Sequence, residues 1–333
     1  MSSLSDGFGR TATDLRVSLT DRCNLRCTYC MPAKGLDWMP SEELLTYDEL
    51  VRLIGIGVSR LGIDTVRLTG GEPLLRTGLE SLVARIALLE PRPDIALTTN
   101  GIGLARRAAA LQDAGLDRIN VSLDTLDPAT FFALSRRRRL DDVLAGITAA
   151  RAAGLDPVKI NTVLMRGIND HEAAALLTWA MDQGVHLRFI EQMPLDAQHA
   201  WDRHEMITAE EISERLSEVV QIEEHPDDAE RRGSAPAELF WVVGTDYRVG
   251  IIAAVTRPFC GACDRVRLTA DGQIRNCLFA RTESDLRAPL RAGASDQEIA
   301  ERWVRAVAGK LPGHGIDDPT FLQPDRPMSA IGG

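Results

Sequence analysis

The segments DLRVSLT, DTVRLT, DIALTTN, RINVSLD, PVKINTVLM and VHLRFIE read as strands, and most are separated by helical patterns across the first two-thirds of the chain. Such alternation dictates a parallel sheet, because a parallel return needs a crossover long enough to hold a helix. A parallel strand covered on both faces reads as a nearly continuous apolar run. Here only one parity is apolar. Leu15, Val17 and Leu19 alternate with Arg16 and Ser18, and Val66 and Leu68 with Arg67 and Thr69. Ile119 and Val121 alternate with Asn120 and Ser122, Val158 and Ile160 with Lys159 and Asn161, and Leu187 and Phe189 flank Arg188. If helices cover the apolar parity, the polar parity faces an interior that is not a dry core. The pattern predicts a barrel or partial barrel lined for a polar, anionic ligand. A half-exposed sheet with one solvated face is the competing reading.

Helix signals agree with the alternation. TYDELVRLIGIGVSRLG opens on a capping box of Thr46 and Glu49, and Thr208 with Glu211 makes another ahead of EISERLSEV. GIGVSR, residues 55–60, lies inside the first helix and is therefore not a dinucleotide loop. Pro, Gly, Ser and charged residues crowd Glu223 to Pro236, which predicts a mobile loop or boundary. FWVVG and YRVGIIAAVT then read as strands, followed by helices and a polar tail.

Motif-like sequence gathers where sites form in parallel α/β architectures, at the carboxyl ends of the strands. A long connection from Asp21 to Leu45 follows the first strand, GGEP the second, TTNG the third, SLD the fourth and IEQMP the sixth. The first connection holds Cys23, Cys27 and Cys30; Cys260, Cys263 and Cys277 complete the six cysteines of the chain. No segment is apolar enough to span a bilayer and the N-terminus lacks an apolar signal core, so the expectation is a cytoplasmic protein with reduced thiols. Its cysteines then hold metal or do chemistry. The net charge of −10 argues against broad nucleic-acid binding, so an anionic ligand needs a local basic pocket. SRRRRL, residues 135–140, reads as a solvated charge run.

A trio of thiolates is an odd set. Structural zinc takes four ligands, and a cubane cluster held by three cysteines keeps one iron open. The spacing C-x-x-x-C-x-x-C, with Tyr29 before its last cysteine and GGEP after the next strand, resembles the radical S-adenosylmethionine enzymes. In that family three cysteines hold a [4Fe–4S] cluster whose fourth iron chelates S-adenosylmethionine. The second trio alone leaves zinc open, with His314 as a fourth ligand, although no histidine has ribbon spacing. Its Arg265-x-Arg267 pair suits phosphate or carboxylate. The remaining histidines are expected at surface or helix-end positions.

Together the motifs, from LRVSLTDRCNLRCTYCMP to the terminal IGG, resemble the GTP-cyclising family of molybdenum cofactor biosynthesis over nearly the whole chain. The resemblance implies an α/β fold, an incomplete (βα)6 TIM-like barrel over residues 1–222. Residues 223–333 would close the open side and carry a second [4Fe–4S] cluster and a Gly-Gly tail. It assigns Cys23, Cys27 and Cys30 to the first cluster and Cys260, Cys263 and Cys277 to the second, whose open iron binds guanine. Tyr29, Gly71, Ser122 and Met193 match S-adenosylmethionine contacts. Arg16, Arg67, Thr98, Lys159, Arg265 and Arg267 match GTP contacts, and Arg188 a further cavity arginine. Some members carry a lysine where this chain has Thr65, which implies phosphate binding that is weaker or differently arranged. Arg265, Arg267, Gly332 and Gly333 carry the catalytic assignment, the glycines reaching into the site. The implied reaction starts with one electron passing through the first cluster to the sulfonium; the resulting radical abstracts hydrogen from the ribose 3′ carbon of GTP, and that carbon then attacks C8 of guanine. Implied partners are a low-potential electron donor of flavodoxin or ferredoxin type, cyclic pyranopterin monophosphate synthase as the next enzyme, and a second copy in a homodimer, with no nucleic acid and no membrane. Two rival readings are an auxiliary-cluster peptide or protein maturase and a zinc-binding interaction module.

Overall fold

The computed structural model describes residues 3–224 and 232–332, so residues 225–231 of the expected loop, and Gly333, lie outside the described residues. Strands β1 (Asp14–Ser18), β2 (Thr65–Thr69), β3 (Asp94–Thr99), β4 (Arg118–Ser122), β5 (Val158–Val163) and β6 (His186–Ile190) fall on the six expected segments. They pair in chain order and all in parallel. The crossovers contain α1 (Tyr47–Leu61), α2 (Leu79–Ala87), α3 (Ala108–Asp113), α4 (Pro128–Ser135), α5 (Leu140–Ala152) and α6 (Ala173–Gln183). Both capping boxes form, at α1 and at α7 (Ala209–Ser217). Gly55–Arg60 sits within α1, which disposes of a dinucleotide loop there.

The chain beyond β6 extends both edges of the sheet. β9 (Arg248–Ile252) pairs in parallel with β6, and β10 (Arg265–Leu268) in parallel with β1. β8 (Glu238–Val242) and β7 (Ile222–Glu224) continue antiparallel outside β9; β11 (Gln273–Arg275) and β12 (Ser284–Asp285) do so outside β10. The order is β12-β11-β10-β1-β2-β3-β4-β5-β6-β9-β8-β7, a sheet with two free ends and so an incomplete barrel. β7 spans residues 222 and 223, where the sequence reading divides the chain. YRVGIIAAVT leaves the sheet after Ile252 because Glu191 captures the backbone N–H groups of Val255 (2.8 Å) and Thr256 (2.9 Å).

Leu15, Val17, Val66, Leu68, Ile119, Val121, Ile160, Leu187 and Phe189 are all buried, so the apolar parity does face the helices. The C-terminal helix α9 (Asp296–Ala308) shares that core: its Trp303 is fully buried against Gly57 of α1. A short α8 (Arg287–Arg291) precedes it, and a last turn, α10 (Met328–Ile331), ends the described chain. Among the described residues no helix is long and apolar enough to cross a membrane.

Candidate active site

The polar parity opens on a cavity of about 940 Å³. All six cysteines line it, with Tyr29, Gly71, Ser122 and Met193, and with Arg16, Arg67, Thr98, Lys159, Arg188, Arg265 and Arg267. Thr65 lines it as well. Gly332 stands just behind the wall, its carbonyl accepting from Arg267, and the expected role of Gly333 concerns a residue outside the described ones.

The first trio rides on a loop fixed by its neighbours. The amides of Arg26 and Thr28 donate to the carbonyls of Ser135 and Leu134 (3.0 and 2.9 Å) at the end of α4. Arg136 donates back to the carbonyls of Arg26 (2.7 Å) and Met31 (3.3 Å), so SRRRRL is only partly a solvated run: Arg137 to Arg139 are exposed, Arg136 is not. Cys23 Sγ accepts from the Leu25 amide (3.4 Å) and from Asn100 Nδ2 (3.7 Å), and Cys30 from the Ser329 amide. Burial pushes all three thiols up, Cys30 to about 12. Tyr29 donates to Asp124 Oδ2 (2.7 Å), and burial lifts Asp124 to about 6.

GGEP braces this loop. The Gly71 amide donates to the Thr20 carbonyl (2.6 Å), and a Cβ on Gly71 would stand 2.3 Å from the Arg22 carbonyl oxygen. Only glycine admits that approach. Glu72 is fully buried and accepts from the Leu74 amide (2.9 Å), Thr99 Oγ1 (2.6 Å) and the Asn100 amide (2.7 Å). It thereby sets Asn100, the residue that donates to Cys23. A Glu72→Gln change turns an amide N–H₂ toward one of these donors, and is expected to cost about 1–3 kcal/mol of stability. Thermal unfolding of the ligand-free protein checks this; an unaltered melting temperature would refute it.

The cations stand in register. Arg16 on β1 is level with Arg67 on β2 and with Arg267 on β10, so three guanidinium-bearing residues occupy adjacent strands. Neighbouring strands are about 4.8 Å apart, and like charges directly opposite destabilise a sheet. Burial and mutual repulsion hold Arg67 and Arg188 below the ordinary arginine range. Burial is also the main cause of the lowering at Arg16 and Arg267. Burial and Arg188 push Lys159 down to about 8. Protein carboxylates answer little of this charge; the nearest to Arg67, Asp14, is 3.9 Å away. Among the described residues, buried Nε of Arg16, Nε and Nη1 of Arg67 and Nε of Arg265 have no hydrogen-bond partner, nor do Ser18 and Thr69 hydroxyls. Buried donors of this kind are normally satisfied. The cavity is built for an anion with several acceptor oxygens.

The second trio lies beside Arg265, whose Nη1 is 3.8 Å from Cys263 Sγ. Arg265 also donates to the Ser234 carbonyl and stacks on Phe259. Ser234, Ala235 and Pro236, read from sequence as part of a mobile loop or boundary, are cavity wall. Burial would raise Cys263, but Lys310 and Arg265 outweigh it and hold that thiol below its ordinary value. His314, the residue named as a fourth ligand in the zinc reading, is half-buried in the cavity wall, 5.0 Å from the Phe279 ring, with Nε2 3.1 Å from the Ala254 carbonyl. Asn100 and Asp124 lie in the TTNG and SLD segments but were given no role from sequence, and Lys310 carries no local motif.

Each trio offers soft thiol donors, free of disulfide bonds and, for Cys23, Cys30 and Cys263, met by N–H donors. That donor set fits an iron–sulfur cluster. Among the described residues no three His, Cys, Asp or Glu are gathered as one metal ion would require.

Residues 17–180 match the Radical SAM superfamily and residues 185–316 match Molybdenum Cofactor Synthesis C. The chain is 64% identical to a Streptomyces coelicolor protein named GTP 3′,8-cyclase, over 99% of this chain and 96% of that one. It is 58% identical to one of the same name from Mycolicibacterium smegmatis, over 99% and 92%. The crystal structure of Streptococcus suis SuiB bound to S-adenosylmethionine shares the fold, at 13% identity, TM-score 0.62, and 92% and 68% coverage.

Proposed function

This chain belongs to the GTP 3′,8-cyclase family of radical S-adenosylmethionine enzymes, and from that premise we propose how its residues divide the work. The enzyme converts GTP to (8S)-3′,8-cyclo-7,8-dihydroguanosine 5′-triphosphate, the first step of molybdenum cofactor biosynthesis. Cys23, Cys27 and Cys30 hold a [4Fe–4S] cluster, and Tyr29, Gly71, Ser122 and Met193 receive S-adenosylmethionine beside it. When bound, this pair supplies the 5′-deoxyadenosyl radical that abstracts hydrogen. Arg16, Arg67, Lys159 and Arg188 clamp the triphosphate, Thr98 adds a hydroxyl, and Arg265 and Arg267 orient the nucleoside. Cys260, Cys263 and Cys277 hold a second cluster at the guanine. Holding both reactants in one cavity makes the encounter effectively intramolecular, and the walls keep water from a reactive radical.

The observation that carries the substrate reading is the row Arg267–Arg16–Arg67 on three adjacent strands, with buried donors left unsatisfied. A triphosphate supplies the acceptors and the charge that this row lacks. Residues 1–222 act as the barrel unit and 223–333 as the unit that brings the second cluster. A flavodoxin or ferredoxin type donor supplies electrons, cyclic pyranopterin monophosphate synthase takes the product, and the enzyme works in the cytoplasm as a homodimer.

Anaerobic reconstitution is expected to give about eight irons per chain from two cubane clusters. Cys263→Ser is expected to leave about four. Cyclised nucleotide should form from GTP only with reductant and S-adenosylmethionine present. A parent protein that saturates with about four irons would sink the two-cluster assignment.

A further inference from the structure

Lys310 lies just beyond the C-terminus of α9, is 4% exposed, and is absent from the cavity wall. Its ammonium donates to the Cys263 carbonyl (3.1 Å), to Cys263 Sγ (3.3 Å) and to the Arg265 carbonyl (3.0 Å). An ammonium has three N–H donors, and this one spends all of them on residues 263–265. Among the described residues no carboxylate is its partner, and the one partner there able to carry a negative charge is the sulfur. The backbone on either side is pinned too. The Lys310 amide donates to the Val307 carbonyl (2.9 Å), and the next two carbonyls, Leu311 and Pro312, accept from Arg10 (2.6 and 2.9 Å). Arg10 donates as well to the Cys260 carbonyl (2.7 Å). The head of Lys310 therefore has one place to be.

A buried lysine without a carboxylate is costly unless its charge is answered. A thiolate answers it, and a cluster that gains an electron answers it better. We propose that Lys310 is a positioning residue for the second cluster: it fixes the Cys263 thiolate and, by a charge-assisted N–H···S bond, raises that cluster's reduction potential. The inference rests on the second trio holding a cluster. Net charge and hydrogen bonds to the sulfurs set such potentials, and ligand orientation is held by the outer groups that touch the ligands. Reduction adds negative charge, so a fixed cation at the sulfur favours the reduced form.

The test compares the anaerobically reconstituted full chain with Lys310→Met and Lys310→Gln, reading iron content and potentiometric titration of each cluster by electron paramagnetic resonance. Expected is about eight irons throughout, a second-cluster potential more negative in Met than in Gln and in Gln than in the parent, and an unmoved first cluster. S-adenosylmethionine cleavage without GTP should be unchanged. If Lys310→Met sheds the second cluster, Lys310→Gln, which keeps an N–H donor without the charge, is read in its place; selective loss from both, with the first cluster unmoved, supports the anchoring of Cys263. Full iron with an unshifted second potential overturns the proposal alone. A parent with about four irons overturns the two-cluster reading along with it.

Discussion

Arg67→Met is expected to weaken GTP binding about ten- to a hundredfold while making the GTP-free protein more stable, two effects of opposite sign from one side chain. Arg67 is 7% exposed, has two nitrogens without a partner among the described residues, and stands level with Arg16 on the next strand. In the absence of GTP it is a desolvated charge beside like charges. Replacing such a group with an apolar one of similar reach is neutral or stabilising by about 1–4 kcal/mol. With GTP bound, its lost charge-assisted hydrogen bonds are worth about 1.5–3 kcal/mol, and each 1.4 kcal/mol is a factor of ten. Calorimetric titration with GTP and thermal unfolding without it check both halves. A variant that loses affinity and stability together would show Arg67 to be a structural residue.

The same logic gives a pH dependence through Lys159, which burial and Arg188 push down to about 8. The triphosphate favours the charged ammonium, so GTP affinity is highest below about pH 8 and falls as pH rises through it. Lys159→Met should flatten that profile at the weaker level. Stability of the GTP-free protein runs the other way. Between about 8 and the ordinary 10.5 the unfolded chain holds a proton that the folded chain lacks, so stability rises with pH across that window. GTP titrations and unfolding curves between pH 7 and 10 would expose either sign as mistaken.

The cavity was legible because strand parity is a local property. Period-two alternation puts Arg16, Arg67, Lys159 and Arg188 on one face whatever the register, and a parallel sheet then aligns that face. The cysteine spacing and GGEP were legible for the same reason, since their geometry is held within a few residues. What escaped was long-range. Glu72 meets Thr99 and Asn100 some 27 residues on, Tyr29 meets Asp124 across 95 positions, and Lys310 meets Cys263 across 47. Asp124 closes the SLD segment at a strand end, but its partner Tyr29 is not legible there, and nothing in the flanking sequence of Lys310 distinguishes it from a surface residue. The wall at Ser234 to Pro236 was read as a loop because its composition is that of one; its position beside Arg265 comes from the fold.

Removing Gly332 and Gly333 is expected to lower cyclised-product formation by roughly 10²-fold or more, with iron content and reductive cleavage of S-adenosylmethionine preserved. The tail is held far more firmly than a chain end usually is. Arg326 grips Asp271 through two bonds (2.9 and 2.8 Å), the Met328 amide donates to the Leu195 carbonyl (3.0 Å), and Ile331 is fully buried. From there the tail touches two parts of the cavity lining: the Ser329 amide reaches Cys30, and the Gly332 carbonyl takes Arg267. Truncation would place the new terminal carboxylate on Ile331, whose carbonyl oxygen is already 3.3 Å from Arg267 Nη1. A full negative charge there would neutralise the Arg267 guanidinium, which the proposed function assigns to the substrate. Gly332→Ala tests the same contact without moving the terminus. Gly332 has φ of +79°, and a Cβ would lie 2.2 Å from Thr69 Oγ1 with Ser18 Cβ at 3.5 Å, so the tail must back away from β1 and β2. Both variants should keep their clusters and lose cyclisation, since a displacement of about 1 Å in a positioning group costs on the order of a hundredfold. Full turnover by the truncated enzyme would make the docked tail a packing feature and return Arg267 to the substrate unaided.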